Sequence, residues 1–548
     1  MPQHSAKWKA KKRAKTAASG TAGIARLRHL HWSSWLLLLV IVFVAILRYR
    51  LRDVSLERDE GEYAYSGQLM LQGVPPYQLA YNMKLPGTYA GYALIMALFG
   101  EDSAGIHIGV LLMTAMTSLL IFGIGRRLFG QISGAFAGMS YGLISASPAM
   151  LGLAGHATHF VVFAAAAGIL ILLKAIETDR SALFFLSGTC LGLAFLMKQP
   201  GLVFAAFAAV YLIHRKWQWP PDWTYLATRL GILLAGIVWP FALTCLVLYA
   251  AGVFRTFWFW TFSYARAYGA RLPFALGMQE LSDNGTPILL NGTGLYLIAA
   301  LGLVLLFWDR RVRPHWPFIA GLLAFSSIGV SAGFFFRSHY FILLIPAVSL
   351  LTGIGVGSAT EMLRDRQYTT AWVAAPALLF AAGFVITLVQ EHKTLLAPDS
   401  ATANRRMYPS NPFPEAREIA EYVKNNSSPD AKIVVFGSEP EIYFFSQRHS
   451  ATGYIYVYSL MEDQPYAQTM QQEMIREVTR AQPDFAIFVD DGLSWFWQPG
   501  ESREAFLEWI RTFVNGNYEK VAQVEIPGNP QHIVAEIPRI YLYRRRPH

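Results

Sequence analysis

The chain has 548 residues, 54% of them hydrophobic and only 15% charged, with a mean hydropathy of +0.32. Soluble domains carry nearer a quarter charged residues, so this composition excludes an ordinary soluble protein and points to a polytopic membrane protein. The formal net charge of +10 is concentrated at one end: residues 1–31 hold Lys7, Lys9, Lys11, Lys12, Arg13, Lys15, Arg26 and Arg28 and no acid. A basic tail abutting an apolar run is retained in the cytoplasm under the positive-inside rule. No recognition fold for nucleic acid accompanies it, so nucleic acid is not an expected partner.

The first apolar run, WLLLLVIVFVAIL (35–47), has the length of a signal-peptide core but ends in RYRLRD without a cleavage site. It reads as an uncleaved anchor. Spans are expected near 33–49, 104–124, 131–150, 157–175, 181–197, 200–214, 229–251, 293–308, 315–335, 340–357 and 371–389. Eleven crossings put the two termini on opposite sides. With the N-terminus inside, the inner loops hold Arg126/Arg127, Lys174/Arg180, Arg215/Lys216/Arg229, Arg310/Arg311/Arg313 and Arg364/Arg366, each short and basic. The outer side then receives the loop 50–103, the KQPG turn at 198–201, the loop 252–292 and FFRSHY at 335–340. Cys190 and Cys245 both lie in apolar segments, which leaves no disulfide framework.

Residues 390–412 form a polar, proline-broken linker, and 413–548 read as an α/β domain outside the membrane. PEAREIAEYVKNN is patterned as an amphipathic helix. AKIVVFG and PDFAIFVD suit buried parallel strands, with a helix near 468–481 between them and further strands near 519–526 and 532–543. IVVFGSEPEIYFF sets a glycine and a carboxylate just past a strand end, either a ligand position or a structural turn.

The candidate chemistry lies in the first outer loop. A short helix over 59–72 puts Asp59 and Glu62 on one face and turns Glu60 elsewhere. Its alternation suits a helix lying in the interface, although acids at a helix start also serve the helix dipole alone. YNMKLPGTY then returns the chain to the membrane with one isolated cation, Lys84. A carboxylate and a cation level with lipid headgroups suit a lipid-phosphate substrate. GHATHF places His156 and His159 on one helical face, as ligands for a metal or a sugar hydroxyl or as structural histidines.

An N-in first helix, a loop opening DE-G-x-Y and a closing K-x-P turn resemble the polyprenyl-phosphate-sugar-dependent glycosyltransferases of the C-type fold. Within these the chain is similar to the bacterial relatives of protein O-mannosyltransferases and of the lipid A aminoarabinose transferase. GRRLFG (125–130), LAFLMKQPG (193–201) and RSHYFILLIPAVSLL (337–351) extend the likeness. The resemblance implies a polytopic helical membrane domain of about eleven transmembrane helices with a C-terminal extracytoplasmic α/β domain. It implies that Asp59 is the catalytic base and that Lys84 contacts the donor phosphate, although KLPG lacks the first proline of the family's Lys-Pro-Pro turn. Lys198 falls at a corresponding outer turn, and His339 and Tyr340 fall where relatives place a polar-aromatic pair near the donor headgroup. Glu60, Tyr63 and Arg337 join the expected substrate-binding set.

Transfer from a lipid phosphate needs no general acid, because the leaving group is already good. It needs a base for the acceptor hydroxyl and fixed positive charge where phosphate charge grows. Asp59 fits the first role; Lys84 with Arg255, Arg266 or Arg271 fits the second. Those arginines sit among aromatics in 252–271, a pattern shared by an interfacial lid and by an aromatic belt with snorkelling arginines. A divalent cation is a candidate cofactor, held by Asp59 with Glu62. The resulting expectation is an inverting glycosyltransferase moving a sugar from a polyprenyl-phosphate donor to a lipid, glycan or protein acceptor on the outer face of the inner membrane. The alternative is a transporter or flippase of lipid-linked sugars; paired repeats and midplane charges, its usual marks, are not evident in the sequence.

Overall fold

A computed structural model describes residues 31–217, 222–496, 501–527 and 538–547. Of the basic tail expected over 1–31 only His31 is among them, and the start of the strand expected over 532–543 also lies outside.

Each of the eleven expected spans coincides with a helix. Six are long and apolar enough to cross a hydrocarbon core unaided: Trp32–Arg50, Ser103–Phe129, Ala157–Thr178, Trp223–Ala250, Ser338–Asp365 and Thr370–Leu395. The other five have 14 to 17 residues, short of the ~20 that an upright crossing requires. Turns lengthen them. A 3-10 turn Pro148–Met150 follows Gln131–Ile144, and another, Gln199–Gly201, leads into Leu202–Lys216. Thr293–Trp308 meets the helix Phe274–Asn291 at a bend of 92°.

That last helix corrects the reading of 252–292 as a loop. Glu280, Asp283 and Asn284 interrupt its apolar pattern and Pro287 lies inside it, so its periodicity is hidden. The preceding stretch is helical as well, with a π-helical turn Phe259–Tyr264 between Phe254–Trp258 and Ala265–Gly269. π turns are rare and often mark functional sites. The first outer loop likewise holds a second, apolar helix, Gly87–Phe99.

Small residues let the helices approach closely, as apolar surroundings favour. Gly294 faces Gly383, and an added Cβ at Gly302 would run into the Leu351 carbonyl, while at Gly231 it would meet nothing within 4 Å.

The C-terminal domain is built on a five-stranded sheet ordered β2-β1-β3-β5-β4. Here β1 is Lys432–Phe436, β2 His449–Ser450, β3 Phe485–Asp490, β4 Tyr518–Glu525 and β5 Arg539–Arg545. The β1 and β3 runs pair in parallel, as their unbroken apolar sequence implies, whereas β5 is antiparallel to β3 and β4. The domain sits on the first-loop helix Arg58–Leu71. Tyr65 stacks on Tyr443 at 5.2 Å and takes the Ser450 N–H at 2.8 Å, and the Tyr81 N–H reaches the Gly453 carbonyl at 2.6 Å. The glycine–carboxylate turn after β1 is part of this grip: Arg58 pairs with Glu439 at 2.8 Å and donates to the Ser438 carbonyl at 2.9 Å.

Gly302→Ala should therefore cost about 1–3 kcal/mol through overpacking, read as earlier thermal unfolding of the purified protein. Gly231→Ala should not destabilise it, since alanine is favoured over glycine in a helix by roughly 1 kcal/mol.

Candidate active site

The helix Arg58–Leu71 starts with a reciprocal cap. The Glu57 carboxylate accepts the Glu60 N–H at 3.0 Å, and the Glu60 carboxylate accepts the Glu57 N–H at 3.4 Å. This fixes the first turn, so that Asp59 faces a cavity of about 930 Å³ lined by helix ends and the C-terminal domain. The Lys84 ammonium lies 2.6 Å from Asp59 Oδ1 and 2.8 Å from Glu62 Oε2. It rests over the Tyr63 ring at 4.7 Å, and the Tyr89 hydroxyl donates to Glu62 Oε1 at 2.5 Å.

The other Asp59 oxygen, Oδ2, looks across the cavity. His156 Nδ1 is 3.9 Å from it and His339 Nε2 4.0 Å, and the two imidazoles stack at 4.1 Å. Lys198 Nζ lies 3.3 Å from His339 Nε2 and 4.1 Å from the centre of the Tyr340 ring. Arg337 sits over Phe335 at 5.8 Å and Phe496 at 5.9 Å. Among the described residues, neither Lys198 nor Arg337 has a carboxylate within ion-pair distance.

Electrostatics separate the two first-loop acids. Burial pushes the Asp59 carboxyl up, but Lys84 and then His156 outweigh it and hold it well below the usual carboxylate range. Glu62 is pushed above its ordinary value by burial. Asp59 therefore keeps its negative charge more firmly. Burial takes Lys198 down to about 7 and His156 down to about 4, leaving that imidazole neutral near pH 7.

Asp59, Lys84, Lys198, Arg271, Arg337, His339 and Tyr340 all line the cavity. Other expected site residues do not. Glu60 turns into the protein, where it accepts the Gly155 N–H at 2.5 Å and meets His107 Nε2 at 3.1 Å. Tyr63 is fully buried beneath Lys84. Arg255 and Arg266 are exposed and are not among the lining residues. His159 is buried, with Nε2 3.1 Å from the Gly152 carbonyl, so it is structural while its neighbour His156 joins the site. Residues missed from the sequence include Tyr456, Tyr458, Glu462 and Phe496 of the C-terminal domain. Glu462 pairs with Arg271 at 2.6 Å and accepts the Tyr264 hydroxyl at 2.8 Å. No local pattern marks them, because only the fold brings them over the first loop.

At the expected cation pair of Asp59 and Glu62, the Lys84 ammonium lies between their oxygens. A different donor set is present. Asp59, His156 and His339 offer one ligand atom each, all within 4.8 Å of one another, and both His156 ring nitrogens lack a hydrogen-bond partner. Two imidazoles and a carboxylate suit a zinc-type ion.

Residues 86–264 match the family described as dolichyl-phosphate-mannose-protein mannosyltransferase. That segment contains His156 and Lys198 but neither Asp59 nor His339. ArnT from Cupriavidus metallidurans bound to undecaprenyl phosphate is 15% identical, with a TM-score of 0.51 over 93% of this chain and 98% of that one. Its apo form gives 15%, 0.52, 93% and 97%. The apo oligosaccharyltransferase of Archaeoglobus fulgidus gives 12%, 0.50, 85% and 70%. No curated protein sequence matches the chain. The fold is the C-type glycosyltransferase fold that the first-loop motif implies, and the chain is a multi-pass membrane protein similar to these transferases.

A lysine is charged below its pKa and neutral above it, so an anion held by Lys198 should bind more weakly as pH rises through about 7. Affinity for a lipid phosphate, measured across about pH 6–9, should fall on the alkaline side, and Lys198→Arg should flatten the profile because arginine stays charged.

Proposed function

We propose that the protein is an inverting glycosyltransferase that moves a sugar from a polyprenyl-phosphate donor to an acceptor hydroxyl on the outer face of the inner membrane. On this reading the N-terminus is cytoplasmic and the C-terminal domain lies on the side where transfer occurs. The observation that carries it is the division of labour at Asp59: one oxygen is fastened by Lys84, and the other is open to the cavity opposite two cations without acid partners. The likeness to membrane glycosyltransferases supports the same class.

The reaction uses these groups in a single displacement. The acceptor oxygen attacks the sugar C1 from the face opposite the phosphate while Asp59 takes its proton. The bond between C1 and the phosphate oxygen breaks, its electron pair stays with that oxygen, and polyprenyl phosphate leaves. The growing phosphate charge falls to Lys198 and Arg337, preorganised on the cavity wall. Lys84 has a different task from the one the family likeness implies. Its charge is already matched by two carboxylates, so it keeps Asp59 ionised and aimed. Where a divalent cation takes part, Asp59, His156 and His339 would hold it, and it would supply Lewis-acid charge.

General-base catalysis contributes typically about 10²–10⁴-fold. Membranes containing the protein, supplied with radiolabelled polyprenyl-phosphate sugars, should show a loss of that order on Asp59→Asn. Transfer at the wild-type rate by this variant would remove Asp59 as the base.

A further inference from the structure

The roof of the cavity is built from the C-terminal domain in a way that transfer chemistry alone does not require. Tyr458 and Phe496 lie with ring centres 4.3 Å apart. Arg337 covers the Phe496 side at 5.9 Å, and Arg58 stands between Tyr458 at 5.9 Å and Phe413 at 5.4 Å. A continuous ladder of rings and guanidiniums thus runs from the late loop of the membrane domain, across the roof, to the residue beside Asp59. Tyr268 stacked on Phe335 at 4.5 Å extends it at the far end.

The ladder is held rigidly. The Tyr458 hydroxyl donates to the Leu493 carbonyl at 2.9 Å and that of Tyr456 to the Arg58 carbonyl at 2.7 Å. Gly333, Phe334 and Phe336 all have positive φ, at 71°, 58° and 41°, and Phe496 has 46°. Aromatic residues forced into left-handed backbone carry strain, and such strain collects where geometry serves a ligand.

We propose that this roof is the acceptor subsite and that the acceptor is a glycan, with one sugar ring seated against the Tyr458–Phe496 pair. The proposal rests on the transferase reading and names its acceptor. The C–H face of a pyranose is a weakly positive, apolar surface, which suits the negative face of an aromatic ring. Its hydroxyls need donors and acceptors without net charge, and the Arg271–Glu462 pair, with Asn411 and Ser459 also in the lining, supplies these. An extended peptide is the less suited occupant. None of the described residues lining the cavity belongs to a strand of the sheet, so the roof offers side chains and no strand edge for backbone pairing. A ring on the shelf presents its hydroxyl to Asp59 Oδ2. The proton passes to that oxygen, the new glycosidic bond forms at the donor C1, and polyprenyl phosphate departs with the electron pair of the broken bond.

The test uses full-length protein overproduced in membranes of its source cells, supplied with radiolabelled polyprenyl-phosphate sugars. Product label is divided among protease-released peptide, solvent-extracted glycolipid, aqueous polysaccharide and free sugar from donor hydrolysis. The proposal expects label in protease-resistant carbohydrate, extraction telling a glycolipid from a polysaccharide. Tyr458→Ala and Phe496→Ala should each lower the ratio of acceptor label to free sugar by about ten-fold, the scale of one lost aromatic contact. Tyr458→Phe, which keeps the ring, should hold the wild-type ratio. Label in peptide overturns the glycan assignment, and an unchanged ratio in both alanine variants overturns the subsite. Absence of both transfer and hydrolysis by the wild type with every donor would instead remove the underlying transferase reading.

Discussion

The site depends on one ammonium group. Asp59 and Glu62 stand three residues apart on the same face of a helix, Glu62 fully buried and Asp59 partly so, and each disfavours ionisation of the other. Lys84 lies between them and relieves that repulsion. Desolvating three charged groups is expensive, and removal of one partner from a buried pair costs about 3–5 kcal/mol. The third acid of the DEGE run avoids the conflict by facing away. Glu60 is matched by His107 and the Gly155 N–H, whereas Asp59 and Glu62 share Lys84.

Because Lys84 is matched by two carboxylates, the cavity's other positive charge comes from elsewhere. Lys198 and Arg337 reach the cavity from elements far apart in sequence, the turn after one span and the strained loop before another. Glu60 links this arrangement to the opposite wall: by holding Gly155 it sets the backbone next to His156, which looks at Asp59. Neighbouring residues in one helical turn thus serve two ends, one facing the reactants and one fixing what surrounds them.

The membrane helices were legible because apolar runs of near-constant length need no tertiary information to be recognised. Phe274–Asn291 escaped because its acids, Asn284 and Pro287 erase that signal. In the first loop, the three-residue spacing correctly paired Asp59 with Glu62 and set Glu60 apart. Adjacency then misled, since Glu60 and Tyr63 are close to Asp59 in sequence yet face protein. The arginines of 252–271 divide similarly, as among the described residues only Arg271 meets an acid of the C-terminal domain. β1 and β3 were readable as parallel strands from their apolar runs, but the antiparallel pairing of β4 and β5 depends on connections that no local pattern records. Tyr456, Tyr458, Glu462 and Phe496 carried no signal at all, because their relation to Asp59 exists only across several hundred residues of folded chain.

Gly61 shows how far such long-range relations reach into a short motif. Within DEGEY it looks like a local convenience in the first turn of a helix. Any Cβ there would come within 2.6 Å of the Glu441 backbone nitrogen and 2.8 Å of its α-carbon, so the vacancy is imposed by the C-terminal domain pressed against it. The motif therefore encodes the thickness of a joint as well as the chemistry of its acids. A chain of this design without that domain would be released from the restriction at this position while keeping every reason to retain Asp59.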